Sequence, residues 1–474
     1  MKQGVLPFQY EEEKNSTGMT ALAGLPTYLD LTQVIGLSDS IRKHINVRGE
    51  GLQGWTDVQI ILALVLLNLA GGNCVDDLRI IEGDKGFCDV LYRMETYKWP
   101  RKERRALERR WRKERTRVVP SQSAVFRYLE NFHNPEQENF RRPEKAFIPV
   151  PNKYLKGFAK VNEDLIRFAQ HNNSQKTATL DMDATLIETN KANALHCYKG
   201  FKSYQPLNTW WDEQGLMIHT EFRDGNVPAG WEQLRVLIEA LSLLPAGVEK
   251  VRLRSDTAGY QHDILRYCEM RENKRFGKIE FAISSDVTPA FKEAVAEVEK
   301  SQWKTIYKKV KGKLKETGQE WAEVCFVPSA IAYSKNGPEY RYLAIREAMP
   351  QSTLPGTEAQ LKLPFQVMKI KQQDYKIFGI VSNMDWEGER LIHWQRGRCG
   401  KSEEANGIMK DDFAGGKFPS NDFGENSAWW WIATLAFNLN AIMKRLVLGK
   451  SWVSKRIKAI RFALIKWPLK IKLQ

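Results

Sequence analysis

The stretch TATLDMDAT, residues 177–185, alternates threonine and carboxylate with apolar side chains. In a strand, alternate residues share a face, so Thr179, Asp181, Asp183 and Thr185 point one way while Leu180, Met182 and Ala184 point the other. A second stretch, VRLRSDTAGY at 251–260, repeats the arrangement: Val251, Leu253 and Ser255 oppose Arg252, Arg254 and Asp256. Each predicted strand therefore delivers an acid near its C-terminal end. A lone aspartate at a strand end is ordinarily a turn former or a helix cap. Two such ends in one chain point further, because neighbouring strands would let Asp183 and Asp256 share divalent cations through hard oxygen ligands.

Working outward from 177–185, further strands are predicted at LNTWW, LMIHTEF, VRLRSD and FAISSD, with VLIEALSLL as a helix between LMIHTEF and VRLRSD. Three strands, a helix and two more strands describe an α/β layer. Residues 288–370 mix a helical AFKEAVAEVEKSQW with strand-like EVCFVPSAIAY and EYRYLAIRE, which predicts a strand-rich insertion. YKIFGIVSN then resumes the core.

A third acid follows in RGRCGKSEEANGIMKDD, residues 396–412. On a helix, Glu403, Gly407 and Lys410 share one face, whereas Glu404 faces the side of Ile408 and Asp411. Glu403 is thus the favoured third ligand, in line with a phosphate-binding Lys410, and Glu404 its alternate. Arg396 and Arg398, just before this helix, suit bidentate contacts to phosphate. Two metal ions about 3.5–4 Å apart would activate an attacking hydroxyl and stabilise a leaving oxygen of a phosphodiester. Other catalytic constellations are poorly supported: seven histidines are dispersed, and there is no HExxH, GxSxG or Walker loop.

The chain of 474 residues carries 72 Lys and Arg against 57 Asp and Glu, an excess of fifteen positive charges that favours polyanionic partners. The excess is densest in PRKERRALERRWRKERTR, residues 100–117, where Arg104, Arg105, Arg109 and Arg112 surround Trp111. So dense a cluster is expected to contact phosphates through counterion release. PSQSAVFRYLENF, directly after it, is either part of a helix-turn-helix reader or a packing helix. Six scattered cysteines form no CxxC pair, so neither structural zinc nor a disulfide framework is expected. The N-terminus lacks the order of a signal peptide, and the longest apolar run, Ile60 to Ala70, is too short for a bilayer. An intracellular protein without a membrane partner is the expectation. The three tryptophans of ENSAWWWIATLAFNLNAIMKRLVL point around a helix and predict a buried one. The basic amphipathic tail from Trp452 either clamps DNA or covers the core.

LDMDAT, VRLRSDTAGY, the step from Glu403 to Lys410 and GGKFPSNDFGENSAWWWIATLAFNL together resemble the DDE transposases of bacterial insertion sequences, in the thirteen-eighty group. The resemblance runs from about residue 17 to the C-terminus. It implies an RNase H-like fold, a mixed sheet flanked by helices, whose acids bind two Mg2+ or Mn2+ ions and cut and rejoin transposon ends. The family's acids correspond to Asp183, Asp256 and Glu403, with Asp181 and Glu404 as alternates. Related transposases carry a Tyr-x2-Arg-x3-Glu pattern, from which this chain departs: Cys399 stands four residues before Glu403, and Arg398 one further back. Some relatives stack an insertion tryptophan on a flipped base, for which Trp303 and Trp321 are the candidates.

The resemblance implies double-stranded DNA as partner, at terminal repeats and target, a homodimer in the synaptic complex, and a nucleoid-associated place in the bacterial cytoplasm. The expected organisation is a helical DNA-binding region at 1–150, a first core part at 175–287, an insertion at 288–370, a second core part at 371–445 and a basic tail at 446–474. An inactive transposase-derived DNA-binding protein and an RNase H-like nuclease without strand joining are the competing expectations.

Overall fold

The computed structural model describes residues 18–48, 54–96, 100–102, 105, 117–328, 338–349, 366–370 and 373–470. Its centre is a mixed sheet of ten strands: β1 (Thr177–Ala184), β2 (Leu207–Trp211), β3 (Leu216–Glu221), β4 (Lys250–Ser255), β5 (Glu280–Ser285), β6 (Lys304–Val310), β7 (Lys313–Val324), β8 (Arg341–Ala348), β9 (Gln366–Ile370) and β10 (Gln373–Ser382). The order is β3-β2-β1-β4-β5-β10-β8-β7-β6, with β9 against β10. β1, β4 and β5 run parallel, while β2 and β3 return antiparallel on one side and β10, β8, β7 and β6 on the other. The strands of residues 304–382 therefore extend the central sheet instead of forming a separate one. The hairpin of β6 and β7 is absent from the strands predicted above, because its lysine-rich sequence lacks apolar alternation.

The helices that position the site are α1 (Leu25–Ile35), α2 (Leu37–His44), α3 (Asp57–Ala70), α4 (Gln122–Leu129), α5 (Lys153–Asn172), α6 (Gln233–Ser242), α7 (His262–Glu269), α8 (Gly388–Arg396), α9 (Lys401–Gly407) and α10 (Phe423–Ile442). Their ends are written locally. Thr56 and Gln59 form a capping box at the start of α3, and Gly71, with φ 93°, closes it in the left-handed conformation. Ser121 caps α4 by accepting from the Ala124 amide.

Every residue of α10 is buried except the partly covered Phe437. The three tryptophans accordingly pack inside: Trp429 donates its indole N–H to Ala414 O at 2.9 Å and Trp430 to Thr220 Oγ1 at 2.8 Å. Asn438, also on α10, accepts from the Met217 amide and donates to the Met217 carbonyl, satisfying backbone groups at the sheet's outer strand β3. Helices α3 and α5 pack on α10 in turn, and α2 on α5. The tail joins this core: Ile457, Ile460 and Ile465 are buried, and Arg461 donates to the carbonyls of Asn68, Leu69 and Asp412. Among the described residues no single helix is long and apolar enough to cross a membrane.

Candidate active site

Parallel pairing sets Met182 opposite Ser255, so Asp183 and Asp256, one step on, emerge together at the C-terminal ends of β1 and β4. Neighbouring strands lie about 4.8 Å apart, which puts both carboxylates at one place. Asp256 also caps the turn that follows: its Oδ1 accepts from the Ala258 amide at 3.0 Å while its side chain stays 44% exposed. Arg398 stands between the two acids. One terminal guanidinium nitrogen lies 3.8 Å from Asp183 Oδ1 and 3.9 Å from Asp256 Oδ2, attraction at a range beyond hydrogen bonding. The Arg398 Nε is buried without a hydrogen-bond partner.

The third acid arrives on α9, which starts after the left-handed Gly400. Asn406 on this helix donates to Asp183 Oδ2 at 3.0 Å, and Glu403, three residues earlier, acts electrostatically on the same carboxylate. Glu404 instead acts on Lys444. Burial raises the Asp183 carboxyl to about 6, opposed by Arg398 and reinforced by the negative charges of Asp256, Glu403 and Asp181. The Asp183 carboxylate, buried and beside other acids, fits a divalent cation, whose charge would relieve both costs.

Asp181 shares the face of Asp183 but not its surroundings. Across the β1–β4 register it meets Arg254, which donates to both carboxylate oxygens at 2.6 and 2.7 Å. Arg254 also pairs with Asp212 at 3.1 Å and donates to the Trp394 carbonyl at 2.9 Å, pinning α8 to the sheet. As an alternate ligand Asp181 is therefore corrected: its oxygens are committed to a buried ion pair.

The other residues singled out in the sequence are dispersed. Arg396 turns to β7, donating to Gln319 Oε1 at 2.8 Å, and Lys410 reaches the Leu186 carbonyl at 3.5 Å. Trp303 is 8% exposed with the Arg346 guanidinium 3.9 Å from its ring centroid, and Trp321 is 3% exposed. The expectation of a base stacked on either ring is corrected, since neither has a free face. Arg105 is exposed; Arg104, Arg109 and Arg112 lie outside the described residues.

Sequence reasoning missed the support behind Asp183. Trp430 Nε1 donates to Thr220 Oγ1 at 2.8 Å, Thr220 to Asn208 Oδ1 at 2.6 Å, Asn208 Nδ2 to Asn406 Oδ1 at 2.9 Å, and Asn406 Nδ2 to Asp183. Every bond points the same way, so each donor polarises the next towards the carboxylate. Asn208, amid the apolar LNTWW, was the available signal. Another three-residue group, His133, Glu138 and Asp422, brings donor atoms within 4.8 Å of one another. There, however, the Glu138 oxygens accept the amides of Asn134, Phe423 and Gly424, so this carboxylate serves as the cap of α10.

A family model described as transposase DDE domain group 1 matches residues 13–472. No curated protein matches. Among solved structures, the piggyBac transposase synaptic complex with hairpin DNA, determined by cryo-EM, is similar at 12% identity and a TM-score of 0.48, over 92% of this chain and 78% of that one.

Proposed function

The chain belongs to the transposase DDE domain group 1 family, and we propose on that footing that it is the transposase of a bacterial insertion sequence in the thirteen-eighty group. It binds the terminal inverted repeats, cleaves there and joins the 3′ hydroxyls to target DNA. The observation that carries this reading is the convergence of Asp183 and Asp256 at adjacent parallel strand ends, with Glu403 on α9 adding its charge to the surroundings of Asp183. An RNase H-like core is part of the proposal. What supports it is the order β3-β2-β1-β4-β5, with the three last strands parallel and the first two antiparallel.

Asp183, Asp256 and Glu403 would hold two Mg2+ or Mn2+ ions, which when bound supply Lewis-acid stabilisation of the attacking and leaving oxygens. The chain's own residues do the rest. Arg398, attracted by both aspartates yet hydrogen-bonded to neither, would contact the scissile phosphate with its guanidinium. Asn406 fixes one Asp183 oxygen, leaving the other for a ligand. Residues 1–150 are proposed as the DNA-binding region, 175–287 and 371–445 as the two core parts, 288–370 as the insertion and 446–474 as the tail. A homodimer is proposed for the joining of two ends, and the nucleoid as the place of action.

The test supplies pre-cut duplexes carrying the DNA ends that flank the reading frame, together with a plasmid target in Mg2+. Joined products are expected from the wild type; nicks alone would identify a nuclease, and binding without reaction an inactive derivative. Asp256→Ala should abolish cleavage and joining while end binding stays within about twofold, because the loss is of a metal ligand. A variant that still cuts in Mg2+ removes Asp256 from the site.

A further inference from the structure

The outer hairpin of β6 and β7 has a tip, residues 307–316, that is exposed at every position. Lys311 with φ 48° and Gly312 with φ 81° close it, two successive positive angles of the kind that match strand twist in tight hairpins. The tip carries Lys308, Lys309, Lys311, Lys313 and Lys315 against a single acid, Glu316. Register sets Lys308 directly opposite Lys315, a like-charge pair that destabilises a free hairpin. Among the described residues none of the five lysines has an ion-pair partner.

Lysines do guard sheet edges against aggregation, and β6 is an edge strand. That function needs one or two of them. It also sits badly with the apolar side chains displayed beside them: Tyr307, Val310 and Leu314 are 37%, 41% and 74% exposed. Five unpaired cations with interleaved apolar groups on an arm reaching about 17 Å from its root form a surface for a polyanion.

The root is packed on α8, the helix that leads to Arg398. Ile306 and Trp321 are buried with Leu391 and Ile392 of α8. The Tyr307 amide donates to Glu389 Oε1 at 2.7 Å, and Thr317 Oγ1 to the Ile306 carbonyl at 2.7 Å. Gln319, in the irregular stretch between Glu316 and Glu320, accepts from Arg396, two residues before the Arg398 that faces Asp183 and Asp256. The arm is thus tied at its root to the segment that carries Arg398.

We propose that the hairpin tip is a double-stranded DNA arm, holding the phosphate backbone on the flank of the bond presented to Asp183 and Asp256. The inference rests on the transposase reading. Its test replaces all five lysines by glutamine and measures binding of a fluorescein-labelled 30-base-pair duplex of arbitrary sequence between 50 and 200 mM NaCl. Each phosphate contact contributes about 0.9 to the slope of log affinity against log salt, so the slope should fall by at least about one and by as much as about 4.5. Affinity at 100 mM should drop about tenfold or more. The five-arginine variant should keep the wild-type slope, and circular dichroism should show both variants folded.

A slope reduced by less than one, or a larger loss on single-stranded DNA or duplex RNA of the same length, overturns the arm. If the glutamine variant binds with unchanged slope while the wild type joins pre-cut ends, the arm fails and the transposase reading stands. A wild type that does not bind the duplex also overturns the arm, and the joining assay then decides the wider reading separately.

Discussion

Asp183 is the residue whose environment costs the metal-free protein most visibly. Its carboxyl is raised to about 6 by burial and by the surrounding acids, against an ordinary value of 3.8. Between those values the folded state binds more protons than the unfolded one, so stability falls as pH rises, and the cost is fully present above about 6. In EDTA, Asp183→Asn should therefore be more stable than wild type at pH 8 by on the order of 1–2 kcal/mol, after allowing for the weakened contacts to Arg398 and Asn406. The advantage should vanish near pH 2.5, about one unit below the ordinary carboxyl value, where the wild-type carboxyl is protonated in both states. Urea titrations at the two pH values check it, and an equal difference at both would exclude the electrostatic explanation. Asp181, two residues earlier on the same face, is also pushed up by burial, but Arg254 across the register donates to both its oxygens and opposes the shift. Alternation made the two aspartates equivalent, and only the neighbouring strand distinguishes them.

At the scale of elements, helix α8 and hairpin β6–β7 act as one body, because Gly388 opens the helix directly against a tryptophan. A Cβ at Gly388 would come within 2.1 Å of the Trp321 ring. Gly388→Ala should consequently cost about 1–3 kcal/mol by overpacking, measured by thermal unfolding, and should weaken end joining by shifting Arg396 and Arg398. A neutral substitution would mean that the ring moves aside freely. Local signals announced α4 and α10 well, since caps and burial patterns are written in adjacent residues. The hairpin was illegible for the converse reason: its tip is exposed on both faces and so carries no hydrophobic period.

Over the whole molecule, one hydrophobic cluster runs from Leu22 to Ile465, linking the N-terminal helices, the sheet and the tail. Tyr28 on α1 donates to Asn440 on α10 at 2.8 Å, and Arg141 forms a buried pair with Asp224 at 2.7 Å. Chains of this length ordinarily divide into separate cores. Here the helical region is expected to unfold with the catalytic core in one transition, followed by coincident far-ultraviolet and tryptophan signals. Two resolved transitions would show that the N-terminal helices are autonomous.

The sequence by itself determined that carboxylates stand at the ends of two strands, that a third acid follows on a helix, and that the chain's charge suits a polyanion. These are consequences of a period of two in strands, of helix spacing and of composition, all properties of neighbouring residues. The tertiary structure alone decided which partners stand beside each acid. Asp183 and Asn406 touch across 223 positions of chain, Arg254 engages Asp181 and not Asp183, and Trp303 is enclosed under Arg346. Strand register and helix packing set these contacts, and both are fixed by the burial of residues far apart in the chain, which no local pattern records.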